Sequence, residues 1–200
     1  MDISLDVRNR IDHIVNNNAT VLFMKGSRSQ PQCGFSATVV GILDLFLQEY
    51  AHIDVLQDEG VRQGIKEYSD WPTIPQLYVK GEFVGGCDII KQMHAQGELF
   101  ELLGVEKPAL CEPDVAVTQS AQEALANILQ DASEGEQVRL QVNARGWPSL
   151  KLEEETPHDV RMKRGDVTLL LDPLSASRAQ GLRVDYVQEA DKSGFSIRYV

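Results

Sequence analysis

The spacing of apolar residues changes along the first half of the chain and separates helices from strands. Over residues 2–16 apolar positions recur every three or four residues, which predicts an amphipathic helix. A continuous apolar run over residues 19–24 predicts a buried strand, and a second helical stripe begins after Cys33. Later patterns predict a strand over 52–56, a third helix, a hairpin and a last helix running to residue 103. The predicted order is α, then βαβα, then ββα.

The second half of the chain has a different period. A helical stripe after Thr118 gives way to alternation with a period of about two. The alternating segments predict strands over 138–142, 150–153, 160–162, 167–171, 182–187 and 195–200. This pattern predicts a small α+β domain that is mostly antiparallel. Between the halves, residues 107–116 hold Pro108 and Pro113 among charged and small residues, and we interpret them as a linker between domains at 1–106 and 117–200.

Composition narrows the classes of function. Apolar residues make up 42% of the 200 residues and charged residues 24%, as in globular chains that bury a core. Thirty acidic and nineteen basic residues give a net charge of −11, which disfavours nucleic acid and anionic membranes as partners. The apolar runs are too short to span a bilayer, and the acidic N-terminus lacks the apolar region of a secretory signal. A cytoplasmic location is therefore expected.

The cysteines and histidines limit the metal chemistry. The chain has 3 cysteines, an odd and low count that indicates a reducing compartment rather than a disulfide framework. Its 4 histidines are scattered, which disfavours a structural zinc site. Cys33 stands at a predicted loop-to-helix junction, where free backbone N–H groups favour a thiolate that can act as a nucleophile or a soft metal ligand. The plainer alternative is a buried structural cysteine.

Position 36 is Ser, so Cys33 has no partner in a Cys-x-x-Cys pair. A mixed disulfide at Cys33 would need a second thiol, from glutathione or from Cys87. This handicaps a thiol–disulfide oxidoreductase but does not handicap a ligand to iron.

Four separated motifs resemble those of the monothiol glutaredoxins. They are Met24-Lys25-Gly26, Cys33-Gly34-Phe35-Ser36, Trp71-Pro72-Thr73-Ile74-Pro75-Gln76 and Gly85-Gly86-Cys87-Asp88. The resemblance covers roughly residues 4–106. It implies an α/β thioredoxin-like fold, with a central mixed sheet flanked by helices, and this agrees with the predicted element order.

The resemblance also implies roles for individual residues. The residues it assigns to glutathione binding are Lys25, Arg62, Ile74, Cys87 and Asp88. Lys25 and Arg62 match contacts to the glycine carboxylate, and Asp88 matches the residue opposite the α-ammonium. Ile74 matches a residue whose backbone pairs with the tripeptide, and Pro75 matches the cis-proline of the fold. Cys33 matches the redox-active cysteine.

In this family Cys33 is also expected to ligate a labile 2Fe–2S cluster that bridges a homodimer. Each subunit gives one cysteine and each bound glutathione one sulfur, which satisfies four-thiolate ligation. BolA-type proteins and apo iron–sulfur acceptors are the partners that the resemblance implies. Two alternatives stay open: a glutathione-dependent thiol–disulfide oxidoreductase that removes glutathione from protein thiols, and a regulatory binding module in which the C-terminal domain matters most.

The C-terminal half resembles the HesB-like, A-type iron–sulfur carrier fold in pattern. The segments that carry this resemblance are residues 138–142, 169–173 and 182–187. That family places cysteines after the first long strand and near the C-terminus, whereas this chain has no cysteine beyond Cys111. We interpret the domain as a degenerate one that docks a partner or stabilises a dimer. Trp147, on a Gly-Pro loop, is either a contact for such a partner or a half-buried residue that closes the small core.

Overall fold

The computed structural model describes residues 4–189 and 192–200. The chain divides into two compact units, Met1–Val105 and Glu106–Val200, called here the N-terminal unit and the C-terminal unit. Among the described residues, no helix has both the length and the apolar character needed to cross a membrane.

The N-terminal unit is a mixed sheet with helices packed against it. Its elements are α1 (Leu5–Asn16), β1 (Thr20–Met24), α2 (Gly34–Phe46), β2 (Ala51–Asp54), α3 (Glu59–Ser69), β3 (Gln76–Val79), β4 (Glu82–Gly85), α4 (Cys87–Gln96) and α5 (Leu99–Leu103). The strand order is β2-β1-β3-β4. β1 pairs in parallel with β2 and antiparallel with β3, and β3 pairs antiparallel with β4. The expected mixed sheet with flanking helices is confirmed.

Apolar burial and helix caps explain why these segments fold as they do. The stripe of α1 buries Ile11 and Val15 completely, and β1 is buried on both faces, as its continuous apolar run predicts. The side chain of Asp58 accepts a hydrogen bond from the Val61 backbone N–H at 3.1 Å and begins α3. The predicted helix from Asp88 to residue 103 is interrupted, because Gly97 adopts a left-handed conformation with φ 76° and ends α4.

The fold brings several junctions between strands and helices to one end of the sheet. β1 ends just before the loop that leads to α2, and β4 ends where α4 begins. The segment between α3 and β3 contains the two prolines, which exclude helix there. These junctions carry all four motifs found in the sequence.

The C-terminal unit contains two sheets. Its elements are β5 (Val115–Val117), α6 (Gln119–Gln130), β6 (Glu136–Val142), β7 (Pro148–Glu154), β8 (Val160–Arg164), β9 (Val167–Leu171), α7 (Pro173–Arg178), β10 (Leu182–Glu189) and β11 (Lys192–Tyr199). The strand orders are β11-β10-β5 and β7-β6-β9-β8. β5 runs parallel to β10, and β6 runs parallel to β9. We expected a mostly antiparallel α+β domain; the structure has helices and two mixed sheets, each with one parallel pair.

Two sequence expectations for this unit need correction. The predicted linker, 107–116, runs into β5, which pairs with β10 from Val115 onward. A three-residue strand is too short to show alternation, so the sequence pattern missed it. Trp147 does not close the core, since 64% of it is exposed.

Arg139 on β6 shows why the alternation of polar and apolar residues did not predict which side chains of this strand are buried. It stands where alternation places a solvent-facing side chain, yet only 2% of it is exposed. Its guanidinium donates to both carboxylate oxygens of Asp159, at 2.6 and 2.7 Å, and its Nε lies 2.9 Å from Glu153. A charge can be buried when it is paired in this way. The strand is therefore covered on both faces.

Candidate functional site

Cys33 is the N-cap residue of α2. Its backbone is extended, with φ −155° and ψ 134°, and its carbonyl accepts the Ala37 N–H at 2.9 Å. The first turn of α2 holds no acidic residue, so nothing on the helix offsets the positive end of its dipole. Cys33 is a free cysteine and is partly exposed. The expected helix-start position is confirmed, and the alternative of a buried structural cysteine is wrong.

Lys25 follows β1 and is tied to the start of α2. Its backbone N–H donates to Ser36 Oγ at 3.2 Å, and its carbonyl accepts the Gln32 N–H at 2.9 Å. Ser36 itself is fully buried. The hydroxyl that replaces a second thiol in Cys33-Gly34-Phe35-Ser36 therefore joins two elements of the fold and is not presented at the surface.

The side chain of Gln76 holds the Trp-Pro-Thr-Ile-Pro segment in place through hydrogen bonds. Its buried side-chain amide donates to the carbonyls of Trp71 and Thr73 at 3.0 and 3.1 Å. Its amide oxygen accepts a hydrogen bond from Ser69 Oγ at 2.9 Å. The Ile74–Pro75 peptide bond is cis, as the resemblance implied. Together these contacts hold the backbone of Ile74 at the edge of a cavity.

Helix α3 presents two cations to the same cavity, Arg62 and Lys66. They are four residues apart and so lie on one face of the helix. The Arg62 guanidinium Nη1 lies 3.1 Å from Glu59 on the same helix. Its Nε is buried and, within the described part of the chain, has no hydrogen-bond acceptor. Because this nitrogen is covered by protein, a ligand in the cavity would meet another part of the Arg62 side chain, which is 35% exposed.

The start of α4 forms another wall of the same cavity. Gly86 is its N-cap, and a Cβ there would lie 3.1 Å from Trp71 Nε1, so glycine permits this close approach. Burial raises the pKa of the Cys87 thiol, and the adjacent Asp88 carboxylate raises it further. Asp88 lies in the first turn of α4 and is exposed. Its negative charge is favourable at a helix N-terminus.

These residues surround one cavity of about 630 Å³. Its walls are formed by Lys25, Cys33, Phe35, Arg62, Lys66, Trp71, Pro72, Thr73, Ile74, Pro75, Gly86, Cys87, Asp88 and Ile89. Of the wall residues in the described ranges, three are cationic and one is a carboxylate. Phe35 is 62% exposed and Ile89 38% exposed. A ligand with more negative than positive groups fits such walls, although the whole chain is acidic.

The structure brings every residue of the predicted site to this cavity, although their roles in binding stay predictions. Six wall residues had no role assigned to them from the sequence: Lys66, Trp71, Pro72, Thr73, Gly86 and Ile89. A spacing of four from Arg62 could have found Lys66. Over residues 4–189 and 192–200, no group of three or more His, Cys, Asp or Glu side chains could hold a metal ion.

Comparison with known proteins agrees with the motifs. The family model described as Glutaredoxin matches residues 20–84. A relative from Synechocystis, described as an uncharacterized monothiol glutaredoxin ycf64-like, is 53% identical over 100 residues, covering 50% of this chain and 94% of the relative. The zebrafish mitochondrial glutaredoxin-related protein 5 is 53% identical over 94 residues, covering 46% of this chain and 61% of that protein.

Among solved structures, the reduced apo GrxS14 of poplar is 46% identical. The match covers 52% of this chain and 95% of that one, with a TM-score of 0.47.

Proposed function

Since the chain belongs to the monothiol glutaredoxin family through its N-terminal half, we propose that it binds glutathione beside Cys33 and carries a labile 2Fe–2S cluster as cargo. The observation that carries this proposal is the charge pattern of the cavity walls. Glutathione has two carboxylates and one ammonium, and the walls offer Lys25, Arg62, Lys66 and Asp88. Three cations and one carboxylate complement that ligand.

In this proposal each end of glutathione has its own part of the cavity. The glycine carboxylate lies near Lys25 and the α3 side chains of Arg62 and Lys66, which line the cavity. The γ-glutamyl end lies at the N-terminus of α4, where backbone N–H groups donate hydrogen bonds to its carboxylate and Asp88 pairs with its ammonium. The backbone of Ile74 pairs with the middle of the tripeptide. The glutathione thiol then lies beside Cys33.

Calorimetric titration with reduced glutathione tests this step. We expect saturable binding by the full chain and weaker binding by Asp88→Asn, because the ammonium loses its opposite charge. Glu82→Gln is the matched control, since Glu82 is an exposed carboxylate outside the cavity walls. Absence of saturable binding by the unaltered protein, or equal losses in both variants, would contradict the proposal.

The thiols of the chain suit a shared cluster. Four-thiolate ligation cannot come from one copy, because the chain has only three cysteines. Cys33 is partly exposed at the cavity, whereas Cys87 is 8% exposed. Two copies, each giving Cys33 and one bound glutathione, supply the four sulfurs. A homodimer is therefore part of the proposal. Two ligands that are not protein groups also favour release to an acceptor.

The wider setting is proposed on the family alone. Apo iron–sulfur proteins are the proposed acceptors and a BolA-type protein a proposed partner. A cytoplasmic location stays a prediction from the sequence. We retain the HesB-like assignment of the C-terminal unit as a proposal, in which the unit docks a partner or stabilises the dimer without a cluster of its own.

A second candidate function is glutathione-dependent thiol–disulfide exchange. Cys33 is a free, partly exposed cysteine on the cavity wall, which is the observation that favours it. The Cys33 thiolate would attack a glutathionylated protein, take up the glutathionyl group and release the protein thiol. A second glutathione would then attack this mixed disulfide, forming oxidised glutathione and freeing Cys33. Slow turnover of a glutathionylated peptide is expected, and rapid turnover would place this function first.

A further inference from the structure

Arg28 lies in the loop between β1 and α2, and its side chain is enclosed. Only 10% of that side chain is exposed, although the loop sequence is polar. Its Nε donates to Asp44 Oδ1 at 2.8 Å. Its two other guanidinium nitrogens donate to the carbonyls of Gln48 and Leu47 at 2.9 and 3.3 Å. None of these acceptors belongs to the glutathione cavity.

Tyr50 completes this arrangement. The Arg28 guanidinium lies 4.3 Å from the centre of the Tyr50 ring, within the range of a cation–π contact. The Tyr50 hydroxyl donates to the same Asp44 oxygen at 3.1 Å. The carbonyls that Arg28 binds lie just beyond the C-terminal end of α2, where a cation is favourable. We call this set of contacts the Arg28 clamp.

The loop that carries Arg28 is a closed hairpin. Ser27 and Gln30 exchange backbone hydrogen bonds at 3.2 and 3.1 Å, and the Gln32 N–H donates to the Lys25 carbonyl at 2.9 Å. Gly26 has φ 83°, and a Cβ there would lie 2.5 Å from the Gln30 carbonyl, so the turn requires glycine. The base of this hairpin is Lys25 on one side and, directly after Gln32, Cys33 on the other.

Both ends of the hairpin are therefore fixed to the same helix. Its base continues into the N-terminus of α2 through Cys33, and its tip is held beyond the C-terminus of α2 by the Arg28 clamp. With the tip released, the hairpin would be held at its base alone, by the Gln32–Lys25 and Lys25–Ser36 hydrogen bonds. Motion of the tip would then strain those bonds, and the distance between the Lys25 amine and the Cys33 thiol would vary more. A hairpin held at both ends cannot pivot freely. Ligand binding then needs less ordering of the site.

We propose that Arg28 is a positioning residue, which acts on glutathione through the hairpin by holding Lys25 and Cys33 at a fixed separation. The inference rests on the proposed binding of glutathione at this cavity. Removing the clamp should weaken glutathione binding without removing a contact to the ligand. Arg28→Lys keeps the charge but loses the planar fork that reaches three acceptors, so it should retain only part of the effect.

A double-mutant cycle separates positioning from general destabilisation. The glutathione affinity of the unaltered chain, Arg28→Ala, Lys25→Ala and the double variant would be measured by calorimetry. Arg28→Ala should bind roughly 3- to 10-fold more weakly, and the factor should shrink when Lys25 is already absent. A purely structural role would give the same factor in both backgrounds. Arg161→Ala, which breaks an exposed ion pair at 2.8 Å in the C-terminal unit, controls for the loss of one cation.

Amide hydrogen exchange gives a readout that does not depend on glutathione. In Arg28→Ala the Gln30 and Gln32 amides should exchange faster, while that of Phe23 in β1 stays protected. If the unaltered chain binds no glutathione, the proposed function fails, whereas this exchange pattern still tests the clamp. If the chain binds glutathione and Arg28→Ala or Arg28→Lys binds it equally well, the clamp inference is overturned. Unchanged exchange at Gln30 and Gln32 would overturn it too.

Discussion

The backbone N–H of Lys25 donates to the side-chain oxygen of Ser36 at 3.2 Å, and this bond joins the end of β1 to the first turn of α2. Ser36 is fully buried. The residue that stands in place of a second thiol therefore helps to place the lysine of the cavity. This explains in physical terms why a small hydroxyl side chain suits that position.

Replacing Ser36 with alanine should lower the free energy of unfolding by about 1–2 kcal/mol, because the Lys25 N–H loses its acceptor in a partly buried place. Thr38→Ala is the matched control on the same helix, since its exposed hydroxyl donates to the Gly34 carbonyl at 3.0 Å. That change should cost less than about 0.5 kcal/mol. Urea unfolding followed by tryptophan fluorescence measures both. Equal losses would show that the Ser36 bond contributes nothing particular.

Charge reversal at Lys25 should weaken glutathione binding more than neutralisation does. Lys25→Glu places a carboxylate beside the ligand's carboxylate, whereas Lys25→Ala only removes the attraction. The affinity of the unaltered chain should also fall as salt is added, because the site is partly exposed and its charges are screened. Calorimetry at two salt concentrations checks this, with Lys80→Glu as the control outside the cavity walls. An affinity independent of salt would argue that apolar and backbone contacts dominate.

In the proposed site, Glu59 would compete with glutathione for Arg62. Its carboxylate lies 3.1 Å from the Arg62 guanidinium, and an exposed pair of this kind contributes up to about 1 kcal/mol. Glu59→Gln should therefore strengthen glutathione binding by roughly two- to fivefold. Glu67→Gln, an exposed carboxylate on the same helix, removes the same charge away from the cavity walls and should change little. If both variants gain equally, the effect is one of overall charge.

Cys87 should react with alkylating agents more slowly than Cys111 and only at higher pH. Burial, then the neighbouring Asp88 charge, raises the pKa of its thiol, so the thiol stays protonated where an ordinary thiol, with a pKa of about 8.5, ionises. Because the folded-state pKa is raised, its contribution to stability is present below the ordinary value. That contribution is lost as the pH rises through the folded-state value. Mass spectrometry after timed iodoacetamide treatment checks the order, and preferential labelling of Cys87 near neutral pH would contradict it.

The sequence predicted the N-terminal unit well, because apolar spacing, helix caps and the positions of the prolines all indicate the same elements. The continuous apolar run predicts the buried strand β1, and the cap at Asp58 predicts where α3 begins. The site was predicted through the motifs that surround Cys33 and Cys87. Arg62 also lies outside those motifs and was assigned through the family resemblance alone. Lys66, on the same helix, was missed because the charged face of that helix resembles a solvated surface. The break at Gly97 was missed because apolar spacing continues across it.

The C-terminal unit was harder to predict for a physical reason. Alternation assumes one buried face per strand, and β6 buries both, including the Arg139 guanidinium through its pairing with Asp159. Parallel pairing of β6 with β9 joins strands far apart in the chain, which local pattern does not specify. β5 is only three residues long. Long-range pairing and paired buried charge appear only once the chain is folded.

The most direct test of the account is anaerobic reconstitution of the full chain with ferrous iron, sulfide and glutathione, followed by its visible absorption spectrum and its size by gel filtration. We expect a coloured dimer whose colour depends on glutathione, is lost in Cys33→Ser and is retained in Cys111→Ser. Cys111 is exposed and is not a cavity wall residue, so it is the matched thiol control. A chain that stays colourless, or colour that survives in Cys33→Ser, would contradict the account.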